Sequence, residues 1–451
     1  MEAVFILFSR IWDEEKAPDD WENTTLIQIY KGVGLREVLS NNRYIHNKTW
    51  MPKLFESILV TRMKPKISDN MSKFQTGGVA GHRPQELIFV VKSIIALYKL
   101  LNIVLIMTLW DIQKFFDREN LRDGMDALYR TNIQNKVYRL WFMLNKKSKI
   151  RVLTGVGVTK YEQKEELLGQ GSLGGALVSA CNLDADMNDY FESSDEVCYG
   201  TVRLQPLLYQ DDVIHLSKSR DDAQAGVMKM EAVMKTKQLE VHPDKSCYLV
   251  VGQGVNLEKE KSEIKKKPLI YDSFLLKNKP EAKHLGDFVH QDGNTASAMS
   301  TILHRRGRVK KCIFEIGAVL SDIRVQSTGG LMSGLIIWNM DLDKDCMEEL
   351  DKTLFLWVLM AVPRPALSWD TGSLSMKNRI IQRKLNLVVH LKNLSDGSLA
   401  KQVFLEQRKN GWPGLVSEAQ DLCKQINLPD VTMEREKETK QAWKNSIRRA
   451  V

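Results

Sequence analysis

The segment PLLYQDDVIHLSK, residues 206–218, places Asp211 and Asp212 side by side between two apolar runs that alternate like strands. This pattern predicts a β-hairpin with the two acids at its tip. Adjacent carboxylates repel each other, and burial without a compensating cation drives one of them toward protonation. The pair therefore indicates a divalent-cation site, whereas an isolated Asp-Asp dipeptide is also compatible with ordinary turn chemistry.

A third acid, Asp111, stands at the end of the apolar run IVLIMTLWD. Such a run predicts a central, buried strand, where an acid is expected only if something compensates it. Two strand ends on one sheet would bring Asp111, Asp211 and Asp212 together. Three carboxylates are a ligand set for two hard divalent cations, best suited to Mg²⁺, that orient a hydroxyl for in-line phosphoryl transfer.

Three basic residues elsewhere in the chain could assist phosphoryl transfer, and each could instead be an ordinary surface residue. Lys31 and Arg43 are candidate donors to a triphosphate or simply solvated surface cations. Lys245 begins a predicted strand and is either a proton donor to a leaving pyrophosphate or an exposed strand-end lysine.

An aromatic pair and a glycine-rich turn complete the set of candidates. Phe116 follows the predicted strand end, where its ring would exclude a 2′-hydroxyl, although Phe115 and Phe116 also suit a hydrophobic core. The turn GQGSLGG, residues 169–175, runs into a predicted helix and allows close backbone approach to a nucleotide or template.

The bulk composition is that of a globular protein. The 451 residues predict two or three packed units, with 43% hydrophobic and 27% charged residues and no repeats. The net charge of +9 is consistent with a polyanionic partner. The six cysteines form no CxxC pair, the N-terminus lacks a cationic signal-peptide start, and no apolar run approaches the roughly 20 residues that span a bilayer. We expect a soluble intracellular protein of the nucleus or cytoplasm, without a membrane partner.

The pattern of apolar residues changes along the chain. Residues 1–100 are predicted to contain both helix and strand. The pattern predicts an initial helix, a strand in TLIQIYKG and a second helix over residues 41–67, where apolar residues recur with a 3.6-residue period. From about residue 101 strands and helices alternate, and adjacent hairpins predict an antiparallel sheet with helices on one face. Beyond about residue 290 the pattern is helical. The predicted fold class is α+β.

Several of these segments, in order, resemble the motifs of one family. LWDIQKFFD, GQGSLGGALVSACNLD and YQDD resemble the successive palm motifs of reverse transcriptases. Residues 29–63 and QTGGVAGHRPQELIF are similar to the fingers motifs of the non-LTR (LINE-type) retrotransposon subclass, and HPDKSCYLVVG with KHLGDFVHQDG resembles the segments after its palm. The resemblance covers about residues 20 to 400, and the ordered set is far more specific than any single motif.

The resemblance implies a right-hand polymerase fold with a C-terminal helical region. The implied units are fingers at 1–100, palm with primer grip at 101–290, thumb at 291–340 and the helical region at 341–451. No endonuclease precedes the fingers and no cysteine–histidine knuckle follows the thumb, so we expect a polymerase cut from a longer element or a decayed copy.

The resemblance also implies roles for single residues. Asp111, Asp211 and Asp212 are the expected catalytic ligands of two Mg²⁺ ions, which Mn²⁺ can replace, and Lys245 is the candidate proton donor. The expected nucleotide and template contacts are Lys31, Arg43, Phe116 as sugar gate, Gln170 and Gly171. The expected nucleic-acid contacts are His284, Leu285 and Gly286 in the primer grip, and Arg305, Arg306, Arg308, Lys310 and Lys311 in the thumb.

The expected activity is that of an RNA-directed DNA polymerase, which extends a DNA or RNA primer with deoxynucleotides on an RNA template. The alternative is a catalytically decayed remnant that only binds nucleic acid. A third possibility, an RNA-templated RNA polymerase, is disfavoured by Phe116, because ribonucleotide users need a small or polar residue there. The chain departs from the family pattern at Phe115, Gly174 and Gly175. These departures are expected to affect how a nucleotide fits and leave the metal-binding acids unchanged.

Overall fold

The structure is a computed structural model, and it describes most but not all of the chain. The described residues are 2–31, 34–79, 81–113, 115–155, 157–165, 168, 171–191, 197–204, 206–293, 296, 376–433 and 439–451. Residues 297–375, which contain nearly all of the predicted thumb, lie outside this set.

The N-terminal segment contains the predicted helix and strand and one element that differs from the prediction. Its elements are α1 (Glu2–Glu14), β1 (Asn23–Tyr30), β2 (Asn42–Lys48), α2 (Trp50–Asn70) and α3 (Pro84–Leu100). The helix predicted over 41–67 begins only at Trp50, because residues 42–48 instead pair antiparallel with β1. Pairing with a neighbouring strand outweighs a local helical rhythm.

The central segment is built from short strands and helices. It comprises β3 (Leu105–Asp111), α4 (Phe115–Arg118), α5 (Leu121–Arg130), α6 (Lys136–Asn145), β4 (Lys147–Thr154), β5 (Gly157–Val158), β6 (Glu162–Glu165), α7 (Gly175–Phe191), β7 (Val197–Tyr199), β8 (Val202–Leu204), β9 (Leu207–Tyr209), β10 (Asp212–Ser217), α8 (Arg220–Thr236), β11 (Cys247–Val251), α9 (Gly254–Lys266), β12 (Ile270–Tyr271), β13 (Phe274–Leu275), β14 (Lys277–Asn278), β15 (Glu281–His284) and β16 (Asp287–His290). The described C-terminal part is helical, with α10 (Met376–Lys392), α11 (Leu399–Asn410), α12 (Leu415–Gln425) and α13 (Lys440–Ala450).

The larger core surrounds a five-stranded sheet in the order β14-β11-β3-β10-β9. Strand β3 lies at its centre, as predicted, and each residue from Leu105 to Trp110 is buried. Both neighbours of β3 run antiparallel to it. The α+β fold class predicted from the sequence is therefore confirmed.

A second sheet combines strands from distant parts of the chain. Strand β4 pairs parallel with β1, and β5 and β6 extend the sheet from β4. Helices α2, α5 and α6 share the core beside it, with Phe55, Leu121 and Trp141 buried together. The hydrogen bonds between β1 and β4 therefore join residues on the two sides of the predicted fingers–palm boundary at residue 100. The domain boundaries themselves stay predictions.

The C-terminal helices pack onto the central segment. Helix α11 contacts α3 and β8, and the buried Phe404 belongs to the same core as β3. Within the part of the chain that the structure describes, no helix has the length and apolar character needed to cross a bilayer.

Candidate active site

Two of the three predicted acids lie on adjacent strands. Asp111 ends β3 and Asp212 begins β10, and their Cα atoms are directly paired in the antiparallel register. Strands β9 and β10 form a hairpin in which Tyr209 pairs with Asp212, so Gln210 and Asp211 are the two turn residues. The hairpin with acids at its tip is therefore present where the sequence predicts it.

The three acids influence each other electrostatically. Burial, followed by the neighbouring charges of Asp211 and Asp111, raises the pKa of Asp212 to about 7, while Lys283 opposes the shift. Burial also raises the pKa of Asp211, with Asp111 adding to the effect and Arg43 opposing it. Burial and like charge therefore make this group a place where a cation would be stabilised.

The donor set suits Mg²⁺, although the side chains do not form a closed cage. Among the described residues, no three acidic, histidine or cysteine side chains are arranged closely enough to hold one ion together. Mg²⁺ is usually bound by one or two carboxylates, with water and substrate phosphates supplying its other ligands. Asp111 and Asp212, facing each other across two strands with Asp211 beside them, meet that requirement.

Residues around Asp111 fix its position. The Lys245 Nζ lies 3.4 Å from Asp111 Oδ1, and both side chains are open to solvent. The backbone N–H of Asp111 donates to Ser246 Oγ at 3.0 Å, and its carbonyl accepts from the His242 N–H at 2.8 Å. The structure thus places Lys245 beside the acids, within reach of a group bound there.

The two predicted triphosphate donors lie at one end of the β1–β2 pair. Arg43 is exposed on β2 opposite Ile29, and its charge is close enough to Asp211 to oppose in part the rise in the pKa of that carboxyl. Lys31 follows β1, and its backbone N–H donates to the Asn41 carbonyl. Arg43 is therefore the better placed of the two relative to the acids.

The glycine-rich turn packs against β2. Gly171 has a φ of +112°, and an added Cβ would lie 2.8 Å from the His46 carbonyl oxygen. Glu56, buried on α2, accepts from Ser172 Oγ at 2.5 Å and from the Gly174 N–H at 3.2 Å. The turn is thus fixed between β2 and α2, whereas Gln170 lies outside the described residues.

A small pocket that is open to solvent lies beside this turn. Its lining residues are His46, Lys48, Lys53, Glu56, Asn145, Ser148, Gly171 and Ser172. Burial lowers the pKa of Lys48, whose Nζ donates to the Leu144 carbonyl at 2.6 Å. Several basic side chains therefore face the space next to Gly171.

The predicted sugar gate is only half-buried. Phe115 is part of the core at 3% exposure, and its ring contacts Phe116 edge-on with centroids 5.5 Å apart. Phe116 packs against the edge of the same core without being enclosed by it. The alternative assignment to the core thus fits Phe115 better than Phe116.

The predicted primer grip forms the β15–β16 hairpin. His284 pairs with Asp287, and the turn residues Leu285 and Gly286 both have positive φ, as tight hairpin turns require. Burial lowers the pKa of His284 to about 4, so its ring is neutral and enclosed. At this end of the hairpin Lys283 and Gly286 are exposed and Leu285 is half-buried. The predicted thumb contacts Arg305, Arg306, Arg308, Lys310 and Lys311 lie outside the described residues.

Two residues of the candidate site, one near the acids and one at the glycine-rich turn, were missed in the sequence. Lys283 lies close enough to Asp212 to oppose its pKa shift, and Glu56 holds the turn that contains Gly171. Lys283 directly precedes the HLG motif, which is the signal that could have indicated it. Glu56 has no comparable signal, because its partner turn is more than 100 residues away in the chain.

The comparison with known families decides the class of protein. A family model described as reverse transcriptase (RNA-dependent DNA polymerase) matches residues 32–286, more than half of the chain. The chain belongs to the reverse transcriptase family. The match includes both strands that carry the acids, the glycine-rich turn and the β15 strand, so the predicted family of nucleotidyltransferases is confirmed.

One curated reverse transcriptase relative agrees with the non-LTR subclass. It is the retrovirus-related Pol polyprotein from the type-1 retrotransposable element R2 of Nasonia vitripennis, 26% identical over 158 residues. The aligned part covers 35% of this chain and only 15% of that protein.

Solved structures of telomerase are also similar to this reverse transcriptase. Telomerase from Candida albicans, in complex with a TWJ fragment of telomeric RNA, has 11% identity and a TM-score of 0.47 over 96% of this chain and 68% of its own. Apo telomerase from Candida tropicalis has 10% identity and a TM-score of 0.44 over 98% and 74%.

Proposed function

We propose that this chain is an RNA-directed DNA polymerase that adds deoxynucleotides to a primer 3′-hydroxyl by two-metal phosphoryl transfer. The observation that carries the proposal is the register that pairs Asp111 with Asp212, with Asp211 in the adjoining turn. Membership of the reverse transcriptase family supports the reaction type. The R2 relative supports an origin in a retrotransposon.

In this proposal the 3′-hydroxyl oxygen of the primer attacks the α-phosphorus of the nucleotide. The bond from the α-phosphorus to the oxygen that bridges to the β-phosphate breaks, pyrophosphate leaves, and the hydroxyl proton passes to solvent water. Asp111, Asp211 and Asp212 would hold two Mg²⁺ ions, or Mn²⁺ in their place, and the bound ions would supply charge stabilisation for phosphoryl transfer. Lys245, 3.4 Å from Asp111, is the proton donor to the departing pyrophosphate.

The nucleotide and nucleic acid occupy the surfaces around the acids. Arg43 and Lys31 contact the triphosphate, Phe116 presses on the sugar, and Gly171 with Gln170 contacts the template strand and the incoming base. The β15–β16 hairpin guides the primer end, because Lys283 on β15 lies near Asp212. The thumb residues Arg305, Arg306, Arg308, Lys310 and Lys311 bind the duplex backbone in a sequence-independent way.

Primer extension tests the proposal directly. The purified chain should extend a DNA primer on an RNA template with deoxynucleotides when Mg²⁺ is present, and Asp211→Asn should not. A matched control is Asp421→Asn, which removes an exposed acid from α12 and should extend as well as wild type. A wild-type chain that binds the duplex but extends no better than Asp211→Asn would favour the decayed remnant.

A further inference from the structure

The side chain of Gln75, which is not one of the three acids, holds the hairpin turn that contains Asp211. Gln75 lies in the loop between α2 and α3 and is 2% exposed. Its amide oxygen accepts from the backbone N–H of Gln210 and from that of Gly77, both at 2.9 Å. Its amide nitrogen donates to the Gln210 carbonyl at 3.3 Å. Both backbone polar groups of the residue before Asp211 are therefore bound by one side chain.

The loop around Gln75 also pairs with strand β9. The Leu208 N–H donates to the Phe74 carbonyl at 2.9 Å, and the Thr76 N–H donates to the Leu208 carbonyl at 3.0 Å. Strand β9 is the edge of the five-stranded sheet, so this short parallel bridge covers the edge of the hairpin. The loop thus behaves as a sixth, very short strand beside the acids.

The contact leaves no room for a side chain at Gly77. An added Cβ would overlap the backbone nitrogen of Gln210 and lie 2.7 Å from the carbonyl carbon of Tyr209. Gln210 itself has a φ of +56°, which is uncommon for a residue other than glycine. Such a conformation persists where its surroundings hold it, and here the surroundings are Gln75 and Gly77.

We propose that Gln75 is a positioning residue for the acid pair. Its amide fixes the Gln210–Asp211 turn and thereby the place where the Asp211 carboxylate meets a divalent cation. The inference rests on the proposed function, because it assigns Gln75 to the same site. Gln75 touches neither substrate nor cation and acts only through the turn.

The test replaces Gln75 by methionine, which is similar in length but has no hydrogen-bond donor and is only a weak acceptor. A shift of the turn by about 1 Å should lower kcat for primer extension by about 10²-fold, with much less change in the KM for deoxynucleotide. Mn²⁺ affinity, measured by electron paramagnetic resonance of free Mn²⁺ without nucleotide, should fall with it. Asp211→Asn gives the reference for a damaged site.

Gln224, on α8 in the central segment, supplies a matched control. Its amide makes the same two-bond pairing, donating to the Ile270 carbonyl at 2.8 Å and accepting from the Ile270 N–H at 2.9 Å. Gln224→Met should lose those two bonds while it keeps wild-type kcat and Mn²⁺ affinity. Gly77→Ala is a second route to the same effect, since it displaces the turn while leaving the Gln75 amide intact.

The readouts separate this inference from the proposed function. Wild-type Mn²⁺ affinity and kcat in both Gln75→Met and Gly77→Ala would overturn the role of Gln75 and leave the polymerase proposal standing. A second outcome would overturn only the polymerase proposal. In it, wild type binds Mn²⁺ more tightly than Asp211→Asn does and Gln75→Met loses that affinity, yet wild type extends no primer. A wild-type chain no better than Asp211→Asn in Mn²⁺ binding would overturn the cation site and the role of Gln75 together.

Discussion

Asp212 lies directly opposite Asp111 in the antiparallel pair formed by β10 and β3. Burial and the neighbouring acids raise the pKa of Asp212 to about 7, so its ionised form opposes folding. The charged acids destabilise the protein when no cation is bound, and a bound cation would remove that destabilisation. Such an arrangement is typical of a functional site.

Asp212→Asn should therefore stabilise the cation-free protein. At pH 8, above the folded pKa of about 7, the wild-type carboxylate is charged and its free-energy cost is fully present, on the order of a few kcal/mol. Thermal unfolding in EDTA should show a higher Tm for the variant. Added Mg²⁺ should raise the Tm of wild type more than that of the variant. Equal responses of the two proteins to Mg²⁺ would contradict a cation site at Asp212.

Gly171→Ala should impair extension because two constraints meet at this glycine. Its φ of +112° strains an alanine, and the added Cβ would lie 2.8 Å from the His46 carbonyl oxygen. Gly157→Ala is the matched control, because Gly157 has a φ of +137° and open space around it. We expect a fall in kcat/KM of about tenfold or more for Gly171→Ala, beyond any change in the control. Steady-state extension kinetics measure it, and equal losses in both variants would contradict a role for the close approach to β2.

Phe116→Ala should allow ribonucleotide use. The half-buried ring at the edge of the core is the proposed barrier to a 2′-hydroxyl, so removing it should reduce discrimination against ribonucleotides by about 10²-fold. Competitive extension with the two nucleotide types gives the ratio of kcat/KM. Phe116→Tyr keeps the ring and should keep the ratio. A ratio that is unchanged in the alanine variant would assign Phe116 to the core alone.

Glu119 should make stability fall as pH rises. Burial raises the pKa of this 3%-exposed carboxyl from 4.5 to about 7, and Asn182 donates to it at 3.1 Å. Since the folded pKa is above the unfolded one, the native state holds the extra proton between about pH 4.5 and 7, and the stabilisation is lost across that window. The loss amounts to about 3 kcal/mol. Glu119→Gln should abolish this slope in urea unfolding at pH 5 and pH 8, and parallel pH profiles would refute the prediction.

Lys92→Met should destabilise the protein strongly. Lys92 on α3 and Asp287 on β16 are 2.8 Å apart and almost fully buried, so the variant buries Asp287 without its lysine, at a cost of about 3–5 kcal/mol. The double variant Lys92→Met/Asp287→Leu should recover much of this free energy of unfolding in urea. Lys277→Met, which breaks the exposed pair with Asp244, should cost less than about 1 kcal/mol. Additive single effects at Lys92 and Asp287 would contradict coupling.

The sequence by itself indicated which acids could bind a cation and the order in which the motifs follow one another along the chain. The alternation around Asp211 predicted the hairpin, and the apolar run before Asp111 predicted a central strand, because side-chain period and hydrophobicity are local properties of the chain. Ordered motifs then indicated the family. The helix predicted over 41–67 failed at residues 42–48, because strand pairing with β1 is not a local property.

Only the tertiary structure decided which distant residues hold the turns and the hairpin of the candidate site. Gln75 reaches the Gln210 turn, Glu56 reaches the glycine-rich turn and Lys92 reaches Asp287, and each partner is more than 100 residues away. The opposite alignment of Asp111 and Asp212 was likewise set by strand register. Register and long-range hydrogen bonds depend on how whole elements pack, so no short stretch of sequence contains them.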